Sequence, residues 1–105
     1  MEELCSRFID LIERGAYYEA HEALEEAWFP RRFEASDEVR LIKGFINASV
    51  AFELVKRGRM KPAGQVWKVY LKYRPLLERV ESSHAGSYRN VAQTLEERYE
   101  RLFGS

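Results

Sequence analysis

The chain of 105 residues carries 17 acidic and 17 basic side chains, so its formal net charge is zero. This length predicts a single domain, and a hydrophobic content of 46% supports one buried core without disulfide bonds. The charge balance disfavours nucleic acid as a partner, and no apolar run reaches the roughly 18 residues that would predict a membrane span.

Two short helices are predicted at the start of the chain. Apolar residues of the first helix recur every three or four positions, at Leu4, Phe8, Leu11 and Ile12. They predict a helix from about Glu2 to Arg14, which Gly15 ends. A second helix is predicted from about Tyr17 to Phe29, where Pro30 stops it. Because the connection is so short, the two helices should form an antiparallel hairpin.

One histidine and several carboxylates cluster on the second predicted helix. His21 and Glu25 are four positions apart and lie one above the other at the edge of the core-facing stripe, with Glu22 further round. An imidazole at such an edge, beside a carboxylate, can act as a base or as a metal ligand. A divalent metal held by His21 and Glu25 would need a third ligand from another helix. The alternative is a structural pair in which Glu25 holds the His21 ring against the bundle.

Two cations follow this helix. Arg31 and Arg32 lie in a predicted loop from Pro30 to Ala35. They could lie across the end of the helix-two cluster and offer positive charge to an anionic ligand. The alternative, which is commoner for surface cations, is a pair that is simply solvated.

The third predicted helix runs from about 37 to 57 and has Ser36 as a suitable N-cap. Its residues from Gly44 to Val55 are apolar almost all the way round, which is typical of a central helix contacted on several sides. Gly44 and Ala48 are four positions apart and would let another helix approach closely.

Glu53 stands on an apolar line of this third helix, where a carboxylate must find a partner or shift its pKa upward. Two interpretations are equally supported. Glu53 meets His21 across the bundle, or it reaches Lys56 or Arg57 near the end of its own helix.

Two further helices are predicted in the second half of the chain. Pro62 suits the first turn of helix four, and Pro75 ends or kinks that helix. A polar connection from Glu81 to Ser87 follows, and Ser87 is the predicted cap of a last helix over about 87–103. The apolar stripe of this last helix either closes the bundle or pairs with a second subunit as a homodimer.

Two sequence blocks resemble those of the family called domain of unknown function 309, whose members are small prokaryotic helical proteins. The first block comprises Gly15, Tyr17 or Tyr18, Glu19-Ala20-His21-Glu22, Glu25 and Trp28. The second comprises Lys43 to Phe52, with Arg57-Gly58 and Ala63-Gly64 after it. The resemblance covers roughly residues 8 to 75 and implies a compact bundle with His21, Glu22, Glu25 and Trp28 in one pocket. It implies no established reaction, and Asn47 stands one methylene short where the family favours glutamine.

We therefore predict an all-α protein, a single antiparallel bundle of four to five helices over residues 1–105 with a central hydrophobic helix at about 37–57. The leading hypothesis is a small-molecule or metal site, with hydrolysis as the reaction class considered. His21 is its base or metal ligand, Glu25 orients or co-ligates it, and Glu22 is an auxiliary carboxylate. The pocket residues of this hypothesis are Trp28, Tyr18, Asn47 and Glu53.

The rival hypothesis is a helical protein-interaction module in which the His/Glu cluster is structural. Tyr18, Phe29 and Phe33 are expected to be exposed and would provide the partner surface. The partner is then a protein rather than a small molecule. The single Cys5 and an N-terminus without a secretory signal pattern predict a cytoplasmic location.

Overall fold

The computed structural model describes residues 1–104, which form five α-helices and no strands. The helices are α1 (Glu2–Glu13), α2 (Tyr17–Trp28), α3 (Asp37–Lys56), α4 (Met60–Tyr73) and α5 (Ala85–Phe103). Two 3-10 helices follow α2 and α4 directly, at Phe29–Arg31 and Arg74–Glu78. The predicted all-α bundle is confirmed.

Helix α3 is the centre of the bundle, as its apolar circumference predicts. It packs against α2, α4 and α5 and against the second 3-10 helix. Its buried side chains include Phe45, Ile46 and Ala51, which lie about 100° or more apart around the helix axis. Gly44 permits the closest approach, since a Cβ built there would lie 3.1 Å from the Cβ of Tyr73 on α4. The small residue on α3 therefore determines how closely α4 packs.

Two glycines make the tight connections of the fold. Gly15 after α1 and Gly58 after α3 both adopt positive φ, at 76° and 77°. Only glycine enters this left-handed region without a steric penalty. Each connection leads at once into the next helix, so that α1 pairs with α2 and α3 pairs with α4.

The start of α5 differs from the sequence prediction. The helix begins at Ala85, so Ser87 lies inside it, and the prediction that Ser87 is the cap was wrong. The turn is instead made by Ser82, whose hydroxyl accepts a 3.1 Å hydrogen bond from the His84 backbone N–H. Serine competes for backbone donors in the turn before a helix, and Ser82 is better placed to do so than Ser87.

Helix α5 closes the bundle against α1 and α3. Its residues Tyr88, Val91, Ala92 and Leu95 are buried. Further along, the ring of Tyr99 stacks on Trp67 with a centroid distance of 4.3 Å. Within residues 1–104, no helix combines the length and apolar composition that crossing a bilayer requires.

Candidate functional site

The pair of His21 and Glu25 lies at the rim of the core. Ala20 and Leu24 are buried and fix the orientation of α2, so the next residue in each case, His21 and Glu25, emerges at the edge. His21 Nε2 is 2.7 Å from Glu25 Oε2, and the two side chains are 24% and 44% exposed. The ring of Tyr18 lies against the imidazole, with centroids 5.7 Å apart. The imidazole is thus held in place on one side and open on another.

A groove of about 240 Å³ lies beside this imidazole, between α2 and the C-terminal half of α3. Its lining residues are mostly apolar or aromatic and comprise Tyr17, Tyr18, His21, Val50, Glu53, Leu54 and Arg57. We call it the His21 groove. Its size and composition suit a small molecule with an apolar body, since such sites combine apolar walls with a few polar groups.

Of the two kinds of partner predicted for Glu53, the structure shows the one on its own helix. Its Oε2 accepts a 2.8 Å hydrogen bond from Arg57 Nε, and no polar contact joins it to His21 within the described chain. It lines the His21 groove nevertheless. Lys56 is used elsewhere, since its Nζ donates a 3.0 Å hydrogen bond to the carbonyl oxygen of Gly15. That contact ties the end of α3 to the turn between α1 and α2.

The remaining predicted site residues lie outside the His21 groove. Glu22 lines a separate shallow cleft with Glu25, Glu26 and Phe29. Glu25 therefore lines this second cleft and also contacts His21.

Trp28 and Asn47 are also placed away from the imidazole. Trp28 lines a third cleft, two helical turns or about 10 Å along α2 from His21. The Asn47 side chain donates a 2.8 Å hydrogen bond to the carbonyl oxygen of Lys43 on its own helix. The structure thus brings together Tyr18, His21 and Glu53, whereas Glu22, Trp28 and Asn47 belong to other surfaces.

The ligand set for a metal ion is incomplete around His21. Across residues 1–104, no three His, Cys, Asp or Glu side chains are grouped to hold one. His21 and Glu25 together offer two ligands, whereas a protein-bound zinc ion takes three or four from the chain.

A polar network that the sequence prediction missed joins distant parts of the fold at Glu38. Its carboxylate accepts hydrogen bonds from the hydroxyls of Tyr88 (2.6 Å) and Ser82 (3.1 Å) and from Arg31 Nη2 (3.2 Å). Burial raises the pKa of Glu38, but these three donors more than offset it, so the pKa lies below its ordinary value. One signal was available, because Tyr88 lies on a core stripe and a buried tyrosine hydroxyl needs a partner.

A second network joins α4 to α5 at Glu96. Its Oε2 accepts hydrogen bonds from the Tyr70 hydroxyl, at 2.5 Å, and from Arg74 Nε, at 2.7 Å. Burial, and then the carboxylate, raise the pKa of Tyr70 far above its ordinary range. The tyrosine remains a neutral donor, and the role of this network is to fasten the last helix.

Comparison with known proteins supports the resemblance seen in the two sequence blocks. The sequence profile of the family described as "Domain of unknown function (DUF309)" matches residues 5–66, which run from α1 into α4. No curated protein and no solved structure matches the chain. The matched region contains both sides of the His21 groove, while α5 lies beyond it. Since the profile covers more than half of the chain, the protein belongs to the DUF309 family.

Proposed function

We propose that the His21 groove binds a small molecule with an apolar body and one hydroxyl or N–H group. The observation that carries this proposal is an imidazole, held 2.7 Å from a carboxylate, at the rim of a groove with largely apolar walls. With Nε2 facing Glu25, the other ring nitrogen of a neutral His21 is a hydrogen-bond acceptor. It would accept from the polar group of the ligand, while Val50 and Leu54 contact its apolar body.

Binding is better supported than hydrolysis at this groove. His21 has a carboxylate partner, as a general base requires. Hydrolysis also needs a donor for the oxyanion that develops, and the cation lining the groove is Arg57. Arg57 is already engaged by Glu53 at 2.8 Å. We therefore propose that His21 contacts the ligand and that Glu25 orients the His21 ring.

A methyl-detected NMR screen with small phenols and indoles would test this proposal. Ligands should shift the methyl signals of Val50 and Leu54. Glu25→Gln should weaken the binding several-fold, because the amide no longer fixes the tautomer of His21. Glu22→Gln is the matched control on the same helix and should bind like the wild type. Failure of every phenol and indole to shift these methyls would exclude the proposed ligand class.

A second candidate function, the protein-interaction module, has a specific observation in its favour. Tyr18 and Phe29 are half exposed and stand at the two ends of α2, with Glu22, Glu25 and Glu26 between them. Aromatic side chains around an acidic centre favour a basic partner segment. Binding of a basic amphipathic peptide that is lost in Phe29→Ser, but kept when the His21 groove is blocked by Val50→Trp, would support this function.

A further inference from the structure

We propose that the cleft lined by Trp28, at the end of α2 farthest from the His21 groove, binds a small phosphate monoester that carries a flat ring. The cleft has a volume of about 280 Å³ and lies between the end of α2, the loop after it and α3. Its walls include Trp28, Arg32, Phe33, Arg40, Lys43 and Tyr73. We call it the Trp28 cleft. It shares no lining residue with the His21 groove, so this proposal can be tested independently of the function proposed for that groove.

The charge of the Trp28 cleft matches a dianion. Arg32, Arg40 and Lys43 line it, and Glu34 is its one acidic residue within the described chain. Glu34 is itself 3.3 Å from Arg31 Nε, so its charge is partly neutralised from outside the cleft. The excess of two positive charges equals the charge of about −1.5 to −2 that a phosphate monoester carries near neutral pH. A protein with zero net charge thus concentrates cations at one cleft.

The guanidinium of Arg32 is held in position but left available. Its Nη1 donates a 2.6 Å hydrogen bond to the Phe29 carbonyl oxygen. Its central carbon lies 3.6 Å from the ring centroid of Phe29 and 4.5 Å from that of Phe33. No carboxylate of residues 1–104 forms an ion pair with it. A planar guanidinium stacked in this way keeps N–H donors for an oxyanion at little entropic cost.

The two cations on α3 lie one helical turn apart and face the same cleft. The Nζ of Lys43 is 5.9 Å from the ring centroid of Tyr73 and has no carboxylate partner in the part of the chain described. Arg40 is less free, because its Nη1 lies 3.5 Å from Asp37. Lys43 and Arg32 are therefore the main anion-binding groups, and Arg40 adds charge at longer range.

The aromatic walls of the cleft are the reason for proposing a ligand with a flat ring. Trp28 and Tyr73 line its sides, and the ring of Phe33 is 87% exposed at its mouth. Aromatic side chains in the wall of a cleft favour stacking by a planar ligand. The Trp28 Nε1–H is buried and has no hydrogen-bond acceptor within residues 1–104. A ligand oxygen that reached this donor would relieve an unsatisfied polar group.

Indole NMR signals provide a direct test with phenyl phosphate as the probe. The protein has two tryptophans, so its ¹⁵N spectrum has two indole signals, which Trp28→Phe would assign. Phenyl phosphate should shift the Trp28 signal and leave the buried Trp67 signal unchanged. Inorganic phosphate, which lacks the ring, and benzoate, which carries one charge, should both bind more weakly. Benzyl alcohol, which has no charge, should bind most weakly.

Charge-removing variants complete the test. Lys43→Gln and Arg32→Gln should each weaken phenyl phosphate binding about ten-fold, because each removes a charge-assisted contact. Lys68→Gln removes an exposed charge on α4 outside the cleft and should bind like the wild type. Lys43 is exposed and its side chain forms no hydrogen bond or ion pair with residues 1–104, so Lys43→Gln keeps the test valid if Arg32→Gln disturbs the loop.

Three results would overturn the proposal. One is an unmoved Trp28 signal at millimolar phenyl phosphate. Another is equal weakening by Lys43→Gln and Lys68→Gln, which would indicate a diffuse charge effect. The third is tighter binding of a short single-stranded oligonucleotide than of phenyl phosphate, which would make the cleft part of a polyanion surface.

Discussion

The hydroxyl of Tyr88 donates a 2.6 Å hydrogen bond to Glu38, a carboxylate 50 positions earlier in the chain. This bond joins α5 to the first turn of α3. Further donors come from Ser82, in the connection before α5, and from Arg31, in the 3-10 helix before α3. One carboxylate therefore fastens the last helix and two connections to the central helix.

Removing that hydroxyl should destabilise the fold. We expect Tyr88→Phe to lower the free energy of unfolding by about 1.5–3 kcal/mol, as for a hydrogen bond to a charged group. Tyr99→Phe is the control, because the Tyr99 hydroxyl makes no hydrogen bond within the described chain and its ring stacking is kept. Urea unfolding of both variants measures the difference. Equal stabilities would show that the Glu38 network contributes little.

The same network should make the stability depend on pH. The folded protein holds the pKa of Glu38 below its ordinary value of 4.5. A depressed pKa contributes stability that is present above the ordinary value and is lost as the pH falls towards the folded one. Glu38→Gln should therefore lose less stability than the wild type between about pH 6 and about pH 3. Parallel pH profiles of the two proteins, by urea unfolding, would contradict this assignment.

A pair of glycine variants should have opposite effects on stability. Gly44→Ala places a Cβ 3.1 Å from the Tyr73 Cβ, so α4 must move, and we expect a loss of about 1–3 kcal/mol. Gly64 lies inside α4 with nothing within 4 Å of a Cβ built there. Gly64→Ala should therefore stabilise the protein by about 0.5–1 kcal/mol through helix propensity. Thermal unfolding distinguishes the two, and stabilisation by both would show that α3 and α4 are less tightly packed.

The single cysteine should be unreactive in the folded protein. Cys5 is buried, and burial raises the pKa of its thiol from 9.0 to about 11. At about pH 8 the reactive thiolate is then scarce as well as inaccessible. Alkylation by iodoacetamide, followed by mass spectrometry, should be slow in buffer and fast in concentrated urea. Equal rates in both solvents would place Cys5 at the surface.

Local signals in the sequence were sufficient for the helices. Gly15 and Gly58 end helices because they adopt positive φ, and Pro75 stops α4, which continues only as a 3-10 helix. These features depend on residues a few positions apart, and the periodicity of apolar side chains reports the buried faces directly. The prediction that Ser87 caps α5 was wrong because Ser82, five positions earlier, forms the hydrogen bond in the turn before the helix.

The candidate sites depended on contacts that the sequence could not specify. His21 and Glu25 are neighbours on one helix, so their contact was predictable from their spacing. Glu53 had two partners within reach, and only the packed structure shows that Arg57 is the one it contacts. The family resemblance implied that Trp28 shares a pocket with His21. In the structure Trp28 lines another cleft, because two turns of helix separate the two residues.

The sequence by itself determined the helical class, the central position of α3, the hairpins and the pairing of His21 with Glu25. These follow from interactions within about one or two helical turns. The tertiary structure alone decided which side chains share a cleft and which carboxylate accepts the hydrogen bond from the Tyr88 hydroxyl. The physical reason is that such contacts depend on crossing angles and close approaches between helices, which many combinations of apolar faces satisfy equally well.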